Sequence, residues 1–104
     1  MNYLNITVKE LKDLLNSDKN TVLIDVRTEE EWQDKHFCNA HLIPFTDITL
    51  DHILDLCSNM EQQKQLDLNK AVNLVFYCKA GVRSLKAIEK LFYDTDYSPQ
   101  DNPY

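Results

Sequence analysis

Residues 71–84, Ala71-Val72-Asn73-Leu74-Val75-Phe76-Tyr77-Cys78-Lys79-Ala80-Gly81-Val82-Arg83-Ser84, decide the reading of the whole chain. The first seven are mostly apolar and predict a strand that runs straight into Cys78. Beyond it, Val82, Leu85, Ile88, Leu91 and Phe92 recur at helical spacing, so Gly81 to Ser84 is read as a loop feeding a helix. Gly81 is the one glycine in 104 residues. A concave ring of backbone N–H groups forces some residue toward left-handed dihedrals, and glycine meets that demand without steric cost.

The same alternation of strand and helix extends toward the N-terminus. The run Thr21-Val22-Leu23-Ile24-Asp25-Val26 is short, β-branched and nearly all apolar, as expected of a strand buried on both faces of a parallel sheet. Before it, Thr7-Val8-Lys9-Glu10 fits a capping box, with Val8, Leu11, Leu14 and Leu15 forming the apolar face of a first helix. After it, Thr28-Glu29-Glu30-Glu31 is a second capping box, and Trp32 is expected to pack inward from the short helix that follows. His41-Leu42-Ile43-Pro44 predicts an edge strand closed by proline. From about Phe45 to Lys70 one or two helices are expected, broken near Ser58-Asn59. Residues 94–104, polar and punctuated by proline, read as a tail, leaving 1–93 as one domain. Strands alternating with helices predict an α/β domain with a small, mainly parallel sheet.

Composition narrows the function. A chain that is 43 % hydrophobic and 27 % charged suits one compact core. The N-terminus lacks a basic leader followed by an apolar run, and no apolar stretch is long enough for a bilayer. Three cysteines, an odd number, suit a reducing compartment, so a cytoplasmic location is expected. The net charge of −6 with no basic cluster argues against nucleic acid, and leaves an anionic substrate dependent on local cations such as Lys79 and Arg83.

Ligands of open α/β sheets bind where strand ends lead into helix N-termini, and Cys78 occupies such an end. A thiol reacts as thiolate, which helix-start amides and nearby cations favour. Cys78 is therefore the candidate nucleophile, with Lys79, Ala80, Gly81, Val82, Arg83 and Ser84 as an anion-binding loop. The bland alternative is a small buried cysteine beside a turn glycine.

Two segments resemble the rhodanese family of sulfurtransferase domains. Leu23-Ile24-Asp25-Val26-Arg27, the acidic helix through Trp32, and Lys35-His36-Phe37-Cys38-Asn39-Ala40-His41-Leu42-Ile43-Pro44 look like the family's D-V-R and G-H-I-P-G-A-x-x-I-P pattern. Cys78 to Ser84 is similar to its C-x-x-G-x-R-S loop. The resemblance implies a three-layer α/β domain. It also implies transfer of a sulfane sulfur from a donor such as thiosulfate, through a persulfide on Cys78, to a thiol or cyanide-like acceptor, with no metal or organic cofactor. Arg83 stands five positions after Cys78, where cysteine phosphatases and arsenate reductases of this fold place the arginine at six. A non-catalytic rhodanese-like binding module is the other alternative.

Departures are equally specific. Lys35 and Asn39 replace family glycines, Asn39 being tolerant of left-handed backbone, and His41 replaces an apolar residue. The family's later G-F-x-x-V strand and G-G-x-x-x-W segment are absent, so the last strand and helix are expected to be missing. Either Tyr3-Leu4-Asn5-Ile6 then pairs with Leu74-Val75-Phe76, or the sheet edge is open and a homodimer completes it. Asp25, Arg27 and His36 are supporting candidates: the first two as a pair tying neighbouring loops, His36 as a partner for turn backbone. Cys38 and Cys57 are expected to be buried and structural. His36, Cys38 and His41 lack the spacing of a zinc module.

Overall fold

The computed structural model describes residues 5–17, 20–79 and 81–94, with side chains as far as Leu91. Seven elements follow one another: α1 (Val8–Ser17), β1 (Thr21–Asp25), α2 (Glu29–Asp34), β2 (Ala40–Leu42), α3 (Leu50–Gln62), β3 (Asn73–Tyr77) and α4 (Val82–Asp94). The strands form one parallel sheet in the order β2-β1-β3, with Leu23 opposite both Ala40 and Val75. The expected α/β class, the central buried strand and the edge strand near His41 are all present.

All five residues of β1 are buried, as its near-continuous apolar run requires of a strand covered on both faces. Val22, Ile24 and Val26 join Ile53, Cys57 and Met60 of α3 and Ala87 and Leu91 of α4 in one core cluster. Each buried Val, Ile, Leu or Met side chain among these contributes about 1.5–3 kcal/mol by leaving water. Both capping boxes form: Glu10 N donates to Thr7 Oγ1 at 3.1 Å and Thr7 N to Glu10 Oε1 at 2.9 Å, and Thr28 and Glu31 repeat the arrangement on α2.

Several expectations are corrected. Helix α3 runs unbroken through Ser58 and Asn59. Both residues face solvent there, and their small propensity cost, about 0.5 kcal/mol each, is outweighed by Ile53, Cys57 and Met60 buried on the opposite side. The helix ends where Lys64 takes φ 62°, with Gln65 N donating to Met60 C=O at 2.8 Å. Trp32 is only half-buried and outside the core cluster; it stacks on His36 with ring centroids 3.5 Å apart. Asn39 needs no left-handed backbone, since positive φ among the described residues is confined to Lys64 and Gly81. Lys35, at the other replaced glycine, closes α2 in extended backbone at φ −168°.

Asn20 joins the start of β1 to the loop before β3. Its side-chain amide donates to the carbonyls of Asp67 at 3.0 Å and Ala71 at 2.7 Å, and its Oδ1 accepts from Asp67 N at 2.8 Å.

Asn73 N donates to Asn20 C=O and Tyr77 C=O accepts from Val26 N, both at 3.0 Å. The backbone groups of Asn73, Val75 and Tyr77 therefore face β1, and those of Leu74 and Phe76 face outward. No strand among the described residues pairs with that outer edge. Asn5 and Ile6 are not in a strand but line a groove along it, while Tyr3 and Leu4 lie outside the described residues, as do 95–104 of the expected tail. No helix among the described residues is long and apolar enough to cross a membrane.

Candidate functional site

Strand β3 delivers Cys78 to the end of the sheet one residue after Tyr77, and α4 begins four residues later at Val82, inside the segment expected as loop. Gly81 is the N-cap: its carbonyl accepts the helical bond from Leu85 N at 3.2 Å. Its φ of +81° is left-handed, and a Cβ there would meet nothing within 4 Å, so glycine is required for backbone conformation rather than for space.

Having no side chain, Gly81 cannot cap α4. The sulfur of Cys78 does so instead, accepting from Gly81 N at 3.0 Å and from Ser84 N, the third amide of the helix, at 3.3 Å. The thiol donates to Ser84 Oγ at 3.4 Å, and that hydroxyl donates to Gly81 C=O at 3.0 Å. On ionisation the same hydroxyl can turn its hydrogen toward sulfur. Burial pushes the Cys78 thiol up, but the Ser84 hydroxyl and the amides of Ser84, Gly81 and Arg83 outweigh it and bring the thiol below its ordinary value. Cys78 is buried, 6 % exposed, at the head of a groove of about 640 Å³ bounded by α1, β3 and α4. Lys79 is the one charged residue lining that groove, so in a chain of net charge −6 no carboxylate faces it among the described residues.

The remaining loop residues divide. Val82 is exposed at the start of α4, and Ala80 lies outside the described residues. Arg83 is turned to α2, where Nη1 and Nη2 donate to Glu31 Oε1 and Oε2 at 2.7 and 3.1 Å. Sequence reasoning read Glu31 only as a capping residue; a contact across 52 residues leaves no periodic signal.

Asp25 and Arg27 form a buried pair under the loops. Arg27 Nε reaches both Asp25 oxygens at 3.0 Å, Nη2 donates to Oδ2 at 2.7 Å and to Lys35 C=O at 2.8 Å, and Arg27 N donates to Oδ1 at 2.9 Å. The guanidinium also lies 5.2 Å from the centre of the Tyr77 ring, so the pair joins β1, the end of α2 and β3. His36 is exposed, with Nδ1 2.7 Å from Trp32 C=O, and does not line the Cys78 groove. Cys57 is buried, which pushes its thiol up, whereas Cys38 is exposed, against expectation, because its turn lies outside the core. His41 is half-buried and its imidazole is held down by that burial. No cluster of metal-ligating side chains occurs among the described residues.

Residues 7–98 match the rhodanese-like domain. This chain belongs to the rhodanese-like domain family. The rhodanese-like domain is 37 % identical over 83 residues to the probable adenylyltransferase/sulfurtransferase MoeZ of Mycobacterium tuberculosis, covering 80 % of this chain and 18 % of that protein. It is 38 % identical over 85 residues to the mouse thiosulfate sulfurtransferase/rhodanese-like domain-containing protein 3, covering 81 % of this chain and 54 % of that one. The chain thus spans about a fifth and about half of these relatives. No solved structure matches significantly. Both relatives carry sulfurtransferase in their names.

Proposed function

We propose that the domain moves a sulfane sulfur through a persulfide on Cys78, with a thiosulfate-like anion as donor and a thiol or cyanide as acceptor. One observation carries the reading: the Cys78 sulfur sits at the start of α4 as acceptor for Gly81 and Ser84 amides. It opens on a groove where Lys79 is the one charged lining residue among the described residues.

The Cys78 thiolate attacks the outer sulfur of thiosulfate; a new S–S bond forms, the sulfur–sulfur bond of the donor breaks, and sulfite leaves with the electron pair. The persulfide is an anion, and its terminal sulfur takes over the helix-start amides and the Lys79 field. The acceptor then attacks that terminal sulfur and Cys78 departs as thiolate, ready for another turn. Asp25 and Arg27 support the loops from beneath, and His36 supports the turn after α2. Cytoplasmic location and self-association through the open β3 edge belong to the same reading. Sedimentation as a monomer at every concentration removes the latter.

The spacing of Cys78 and Arg83 disfavours phosphate. The test is cyanide-dependent thiocyanate formation from thiosulfate, present in wild type and lost in Cys78→Ser. Turnover of an aryl phosphate instead would favour the phosphatase, and neither activity the binding module.

A further inference from the structure

Arg83 does not line the groove, although its charge is still felt at Cys78. Its fork is engaged by both oxygens of Glu31, and the two side chains are each 32 % exposed. Glu31 Oε1 simultaneously accepts from Thr28 N and Thr28 Oγ1, each at 3.1 Å. One carboxylate thus caps α2 and holds the first turn of α4. The Arg83 guanidinium neutralises the carboxylate and is neutralised by it, while the two Thr28 groups add neutral hydrogen bonds. The main chain of Arg83 stays at the site: its amide is the second of α4, between the cap and the Ser84 N–H that meets the sulfur.

We propose that Glu31 is a positioning residue for the Cys78 site: by gripping the Arg83 fork it fixes the first turn of α4 so that the amides converge on the sulfur. Arg83 accordingly serves the site through its backbone and its anchor, not through a guanidinium offered to the donor. The proposal rests on reading Cys78 as the nucleophile, but it is tested without turnover.

The measurement is the pH dependence of iodoacetamide alkylation at Cys78, followed by peptide mass so that Cys38 and Cys57 do not contribute. Charge and positioning give opposite signs. If Glu31 acted only as a negative charge, Glu31→Gln would make the thiolate easier to form and lower the midpoint. If it positions the amides, Glu31→Gln loosens them and raises the midpoint, slowing alkylation at pH 7 by about threefold or more, the effect of half a pKa unit.

Arg83→Lys, which keeps the charge and loses the fork, is expected to raise the midpoint in the same direction, and it stands in if Glu31→Gln fails to fold. Glu31→Gln with Arg83→Gln is expected to add nothing to either alone, since each acts through the other. Thr28→Val removes a cap contact of α2 but leaves the grip on Arg83, and is expected to lower stability without moving the midpoint. A downward shift or none in Glu31→Gln and Arg83→Lys overturns the proposal, as does an equal shift in Thr28→Val. Loss of sulfur transfer by the wild type, with these shifts intact, would defeat the sulfurtransferase reading alone.

Discussion

At Cys78 a sulfur stands where a helix usually finds a capping oxygen, and its chemistry follows from that substitution. Gly81 N and Ser84 N stabilise negative charge on Sγ, so Cys78 is expected to alkylate with a midpoint below that of an ordinary thiol. The folded-state pKa is depressed. The stability that the thiolate contributes is therefore full above the unfolded value and lost as pH falls through the folded one, and reactivity falls in the same window. A midpoint at or above the ordinary thiol value would contradict this. Gly81→Ala forces a side chain into φ +81° and is expected to cost about 1 kcal/mol and to slow alkylation as the amides shift, both read on one sample by denaturant melts and iodoacetamide. The single glycine and the cysteine were legible in sequence because strand end, loop and helix period converge on them. The grip of Glu31 on Arg83 was not: it is tertiary, and the spacing in C-x-x-G-x-R-S says nothing about where the guanidinium turns.

Among the elements, the strands and caps were read most faithfully because their signals are local. Thr7 with Glu10 and Thr28 with Glu31 are bonded as their spacing predicts. The helix that was expected to break did not, since polar residues on an exposed face leave a buried face intact. Asn20 was missed for a related reason: nothing in sequence marks a side chain that bonds Asp67 and Ala71 across the chain. Asn20→Ala removes three hydrogen bonds and is expected to cost about 2 kcal/mol in chemical denaturation, with the Cys78 alkylation midpoint unchanged. A cost within experimental error would show that water replaces these bonds freely.

For the molecule as a whole, charge and sheet edge dominate. Glu31 is lowered from 4.5 to about 2, first by the Arg83 hydrogen bond and then by the Thr28 amide. Its contribution is full above pH 4.5 and is lost as pH falls toward 2. The stability gap between wild type and Glu31→Gln is therefore expected to be constant at neutral pH and to close in that acid window. A gap that closes above pH 5 would contradict the assignment.

The parallel sheet order places β1 between β2 and β3 and leaves the backbone groups of Leu74 and Phe76 on an edge that no strand among the described residues pairs, with the Cys78 groove beside it. The parallel sheet was legible from the alternation of strand and helix, whereas its exact strand bounds depended on pairing. All of this geometry converges on one sulfur atom. Intact mass after incubation with thiosulfate tests its role most directly: a gain of one sulfur atom on wild type, reversed by cyanide and absent from Cys78→Ser, is the expected result. No adduct on wild type, or an equal adduct on Cys78→Ser, would contradict the account.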